Sequence, residues 1–199
     1  MESPQEEEED DAQVVCRSEM KRIHLVTLRS LVRSTCRTRT EMRSLSLYDE
    51  RMASINVKLV PIGTAFGWQN YGGDHSINIP RISLAKLGDW WRGTYTSLAD
   101  VLRHEYGHAF ADTHRRLVRS AEFRTVFGAS HEDESGFEYD PDFHVSEYAA
   151  TNASEDFAEV FMLYLKHGAS APYAHQSKAK KAKWRFVANL SNHLRSTRR

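Results

Sequence analysis

His104-Glu105-Tyr106-Gly107-His108 is the stretch that decides the reading of this chain. Residues four apart on an α-helix lie one turn apart, about 6 Å along the axis, on nearly the same face. Two imidazoles so placed can hold one metal ion, and the glutamate beside the first can reach a water on that ion. The spacing therefore points to metal-assisted hydrolysis, with His104 and His108 as ligands and Glu105 as general base. The flanking residues favour a helix. Ser97 followed by Asp100 is a start signal. Leu98, Val101, Leu102, Tyr106, Ala109, Phe110 and Thr113 recur at three- and four-residue steps. The pattern predicts a helix over 97–117, with Arg115, Arg116 and Arg119 near its end, where positive charge suits the helix dipole. Gly107 is the odd residue, because glycine costs a helix about 1 kcal/mol relative to alanine. Close approach of a neighbouring backbone is a reason to keep it.

A catalytic zinc site takes three protein ligands as a rule. Residues 152–165 predict a second helix, capped by Asn152 and ended by Gly168 and Pro172. Glu155 and Glu159 share one of its faces, and Phe157, Ala158, Phe161, Met162 and Leu165 make the core side. Glu155 can ligate, and Glu159 can accept a hydrogen bond from the far nitrogen of a ligand histidine. Asn152-x-x-Glu155 is also a capping box that needs no metal. His114 is a rival third ligand, since residues 104–114 match the metzincin pattern HExxHxxGxxH except for Ala111. Ala111 resists the positive φ of that turn, and a helix running on to 117 carries His114 away from His104. Met162 lies in a helical run rather than a turn. His131 and His144, in the loop over 128–146, are the remaining candidates.

Taken together, HEYGHAFAD and the later segment from Tyr148 through Thr151-Asn152 to Glu155-Asp156-Phe157-Ala158-Glu159 resemble the gluzincins. The likeness is to the catalytic domain of anthrax lethal factor and its relatives, and to a group of bacterial zinc-binding metallopeptidases with the same EDFAE-type helix. It covers residues 75–168. The resemblance implies a single zinc ion on His104, His108 and Glu155, with Glu105 as base. It further implies Tyr148 as transition-state stabiliser and Glu159 as the group that orients a ligand histidine. The toxin's targeting and recognition domains have no counterpart in these 199 residues, so its delivery and substrate do not carry over. From the residues alone, Tyr148 is equally a packing residue at a loop–helix junction. Its catalytic case is a phenol aimed at the carbonyl oxygen that gains negative charge.

Upstream, residues 55–62 alternate and are rich in branched side chains, which predicts a strand. Residues 63–73 read as turn, with Trp68 and Tyr71 among them. His75 to Pro80 alternates again and ends on a proline, which suits an edge strand. Ser76, Ile77, Asn78 and Ile79 are therefore candidates to hold a protein or peptide substrate by strand addition. An ordinary structural strand is as compatible with them.

The 199 residues are enough for one domain with a real core. Glu2 and Glu6 to Asp11 mark residues 1–13 as an acidic tail expected to be disordered, leaving a single domain over 14–196. Val14, Met20, Ile23, Val26, Leu28 and Leu31 suggest a helix, with a second over Glu41 to Met52. Lys178 to Leu194 predicts a C-terminal helix with Trp184, Val187, Leu190 and Leu194 on one side. Lys180, Lys181, Lys183 and Arg185 could meet nucleic acid or acidic lipid, although such a helix more often packs through its aromatic stripe. The charges balance, 27 basic against 27 acidic, so the whole chain has no bias towards nucleic acid or membrane. Cys16 and Cys36 are too few for a disulfide framework. No apolar run is long enough for a membrane span, and the acidic start is no signal peptide. The default expectation is a cytoplasmic protein, with export by another system left open. The expected fold is α+β and zincin-like, with a small twisted sheet, an edge strand beside the HExxH helix, a glutamate-bearing helix, and further helices at both ends. The expected activity is zinc-dependent endopeptidase. The alternatives are a DNA-associated metalloprotease using the basic C-terminal helix, and a non-catalytic zinc-stabilised binding module, which would have no need of Glu105.

Overall fold

A computed structural model describes residues 25–90, 95–168 and 170–197. The expected acidic tail, and Val14, Met20 and Ile23 of the expected first helix, lie outside these residues. The architecture is α+β, as expected, with eight α-helices and one three-stranded mixed sheet among the described residues. In chain order the elements are α1 (Leu28–Ser44), α2 (Glu50–Ala53), β1 (Asn56–Val60), β2 (Gly67–Tyr71), β3 (Asp74–Pro80), α3 (Leu84–Trp90) and α4 (Leu98–Thr113). There follow α5 (Arg115–Val118), α6 (Ala121–Phe127), a 3-10 turn (Tyr148–Thr151), α7 (Ala153–His167), a second 3-10 turn (Tyr173–His175) and α8 (Lys178–Thr197).

The N-terminal helices differ from expectation. Thr27 and Ser30 form a reciprocal cap that starts α1 at Leu28. Glu41 belongs to that helix and not to a second one. Ser46 takes a left-handed φ of 59°, with Leu47 N–H donating to Met42 O and Ser46 N–H to Arg43 O. This pair of bonds closes a helix in the Schellman manner. It turns Leu47 into the core, and Asp49 then caps the single turn of α2 through Met52 N–H.

The sheet order is β1-β3-β2, with β1 parallel and β2 antiparallel to β3. The strand carrying Ser76, Ile77, Asn78 and Ile79 is therefore central, which corrects its assignment as an edge. Ser76, Ile77 and Ile79 are buried, and both ladder sides are occupied. Pro80 marks the last residue of β3 rather than a free side, because a proline at a strand's end removes only a terminal donor. The stretch expected to be turn contains β2, joined to β3 by Gly72-Gly73 at φ 59° and 86°, the double positive φ that a tight hairpin demands.

α4 runs through the centre of the molecule. From Leu98 to Ala111 every residue except His108 is buried, so the helix is covered nearly all round. Arg103 and Asp100 on it are matched: Arg103 binds Glu41 of α1 with both Nε and Nη2 at 2.7 Å, and Asp100 through Nη1 at 2.6 Å. Gly107 meets α7, where a Cβ would lie 3.0 Å from Ala158 Cα. The close backbone approach that would account for this glycine is present. The helix stops at Thr113, short of the expected 117. Thr113 Oγ1 bonds back to Ala109 O and Phe110 O, and His114 leaves helical geometry at φ −118°, ψ 40°.

α8 packs Trp184, Phe186, Val187, Leu190 and Leu194 into the core. Lys183 goes with them. Its Nζ lies 2.5 Å from Asp156 of α7 with both side chains fully buried, 2.7 Å from Phe143 O, and over the Phe143 ring. No helix among the described residues is long and apolar enough to cross a membrane.

Candidate metal centre

α4 and α7 bring the predicted residues to one point. Asn152 caps α7 by accepting from Glu155 N–H at 2.9 Å, which fixes Glu155 in the first turn. Glu155 Oε2 reaches forward to 3.1 Å from His104 Nε2 and 3.2 Å from His108 Nε2, and the two Nε2 atoms are 3.0 Å apart. A tetrahedral ion with bonds of about 2.0–2.1 Å places its ligands roughly 3.3 Å from one another. The triangle is close to that size, and these three side chains form a group that can hold a metal ion. They line a cleft of about 660 Å³ together with Phe66, Trp68, His131 and Tyr148.

His104 is held from behind. Its Nδ1 donates to Glu159 Oε1 at 3.0 Å, which leaves the Nε2 lone pair for a metal. Glu159 is fully buried and also accepts from Tyr95 Oη at 2.6 Å and Ser146 Oγ at 2.7 Å. Burial alone would lower the His104 pKa. Its bonds to Glu155 and Glu159 and the charges of Glu159 and Glu105 outweigh that and hold it at about 10. Burial works to raise the Glu155 pKa, but the charge of His108 and the hydrogen bonds of both imidazoles hold it well below the usual carboxylate range. The two shifts have opposite sources: the carboxylates of Glu155, Glu159 and Glu105 raise His104, and the imidazoles lower Glu155.

Glu105 points into the cleft and accepts from Trp68 N–H at 2.8 Å. That contact requires Gly67: its φ is 83°, and a Cβ there would come within 2.9 Å of Glu105 Oε2. Tyr148 opens the 3-10 turn before α7 with its ring centroid 5.8 Å from that of His104. Burial, followed by the charges of Glu155, Glu105 and Glu159, raises its pKa, so the phenol keeps its proton and can donate.

The rival histidines sit elsewhere. His114 stacks on Phe110 and places Nε2 2.9 Å from Asp49 Oδ2. His144 is buried among Phe137, Tyr139 and Phe143, its Nδ1 accepting from Asp140 N–H at 3.1 Å. His131 lines the cleft but turns Nε2 to Ser154 Oγ at 3.2 Å. Sequence reasoning missed Tyr95, Ser146 and the Gly67–Trp68 contact. Each comes from a segment without motif spacing to α4 or α7, and only the unusual glycine before Trp68 offered a signal.

Compared with known proteins, the chain matches no family model, no curated protein and no solved structure.

Proposed function

We propose that the protein is a zinc-dependent endopeptidase of zincin-like, gluzincin type. The observation that carries this reading is the triangle of His104 Nε2, His108 Nε2 and Glu155 Oε2, with Glu105 beside it on one cleft. Two imidazoles and a carboxylate at this spacing suit zinc better than magnesium or calcium, which favour oxygen ligands in larger numbers. Bound there, zinc would supply Lewis acidity and make a water acidic near neutral pH.

The chain's own residues do the rest. Glu105, held by Trp68 N–H, accepts a proton from the attacking water and returns it to the leaving amine. Tyr148 donates to the carbonyl oxygen as negative charge builds on it. Glu159 keeps the His104 ring in the ligating tautomer. β2, the sheet edge that contributes Gly67 and Trp68 to the cleft, takes the peptide-binding role first considered for Ser76 to Ile79.

The reading as a DNA-associated protease rested on the basic start of α8. Lys183 is consumed by Asp156 in the core and Lys180 is buried, which leaves Lys178, Lys181 and Arg185 exposed. A non-catalytic module has no need of a base beside its ligands. The experiment is to compare newly formed protein termini in a cell extract treated with the wild type or with Glu105→Gln. The variant should retain zinc and lose roughly 10²–10⁴-fold in hydrolysis, the usual worth of a general base. Identical termini from both proteins would overturn the proposal.

A further inference from the structure

His104 is anchored by a buried carboxylate, and the other histidine is anchored by something quite different. Ser154 Oγ lies 3.3 Å from His108 Nδ1 and 3.2 Å from His131 Nε2, a chain of two hydrogen bonds from the metal centre into the loop after α6. We infer that Ser154 and His131 are positioning residues that fix the tautomer and ring angle of His108. The inference rests on the metal-site reading above.

The polarity of the chain follows from the chemistry of its ends. A hydroxyl has one proton to donate, so the chain can run in either direction. If His131 Nε2 donated to Ser154 and Ser154 to His108 Nδ1, the neutral His108 would carry its proton on Nε2, the atom that must face the metal. Ligation therefore selects the opposite order. His108 Nδ1–H donates to Ser154 Oγ, and Ser154 Oγ–H donates to the Nε2 lone pair of His131. His131 is suited to accept. Its Nε2 faces the Ser154 hydroxyl at 3.2 Å, where a lone pair can take that proton. Its ring is set edge-on against Phe123 and Phe157, at centroid distances of 5.7 and 6.3 Å.

The local sequence places both groups without special strain. Ser154 sits beside Glu155 in the first turn of α7, so one turn supplies a ligand and the orienting group of another ligand. His131 lines the same cleft, so the hydrogen-bonded chain links its loop to the metal-binding group. The two histidine ligands thus differ in support: His104 leans on a charged partner, and His108 leans on a neutral chain that ends in a loop.

The test is zinc affinity of the full chain, measured by competition with a chromogenic chelator, together with the visible spectrum of the cobalt-substituted protein. Ser154→Ala should weaken zinc binding roughly 10–100-fold, the usual effect of removing an orienting partner. Ser154→Thr, which keeps the hydroxyl, should restore most of it. His131→Phe keeps a flat ring between Phe123 and Phe157 but removes the acceptor, and should weaken binding less than Ser154→Ala. The double variant should bind no worse than Ser154→Ala alone, because both changes break one chain. The cobalt spectrum should shift in Ser154→Ala and His131→Phe and not in Ser154→Thr. Wild-type affinity in both single variants, or fully additive losses, would overturn the inference while leaving the metal site standing. A wild-type chain that takes up no zinc would overturn both.

Discussion

Glu105 illustrates how much a single backbone amide can fix. Its carboxylate has a defined place because Gly67 leaves room and Trp68 offers an N–H. Gly67→Ala combines a left-handed φ with a Cβ 2.9 Å from Glu105 Oε2, so hydrolysis should fall while zinc content holds. Steady-state rates beside metal analysis check this, and an unchanged rate would mean that the contact does not position the base. Gly107→Ala sets two effects in opposition. The helix gains about 1 kcal/mol in propensity, but the new Cβ would stand 3.0 Å from Ala158 Cα, a backbone atom that moves only if α7 moves. Overpacking costs about 1–3 kcal/mol, so the melting temperature should fall, and a rise would show that the helices yield. At this scale the sequence was readable where helical spacing carries the information: His104, Glu105 and His108 on α4, Glu155 and Glu159 on α7. It was unreadable for Tyr95 and Ser146, which reach Glu159 from segments whose position depends on the whole fold.

Helices were more legible than strands because their signals are local. Ser97, Asn152 and Gly168 mark true ends of α4 and α7, each satisfying backbone groups that a helix end leaves open. The C-terminus of α4 had no such mark, and Thr113 and His114 ended the helix by side-chain bonds that spacing does not disclose. β2 was missed because its glycine-rich flanks outweighed a short strand, and β3 was misplaced because a terminal proline resembles an edge proline. α8 was placed correctly, but its lysines were not all on the outside. Lys183 and Asp156 are a buried pair between α8 and α7. Removing one partner strands the other charge, which costs about 3–5 kcal/mol. Lys183→Ala should lower the free energy of unfolding by that order in urea denaturation. A change as small as that of an exposed lysine would mean that the pair is not closed in solution.

At the scale of the molecule, α4 is the shared axis: it meets α1 through Arg103, α7 through Gly107, β2 through Glu105 and α2 through His114. This explains why a helix bearing so many polar residues is buried, and why the groups that could hold a metal converge from distant parts of the chain. It also separates two histidines that the sequence left in competition. His108 faces the cleft, whereas His114 faces Asp49 at the far end of the helix. The central claim is that His104, His108 and Glu155 together hold zinc, and the most direct measurement is zinc stoichiometry and affinity for the wild type, Glu155→Ala and His114→Ala side by side. The account predicts about one zinc per chain in the wild type, a severe loss of affinity in Glu155→Ala, and near wild-type affinity in His114→Ala, whose cost should appear in stability instead. A wild type without zinc, or an affinity that collapses in His114→Ala and survives in Glu155→Ala, would contradict it.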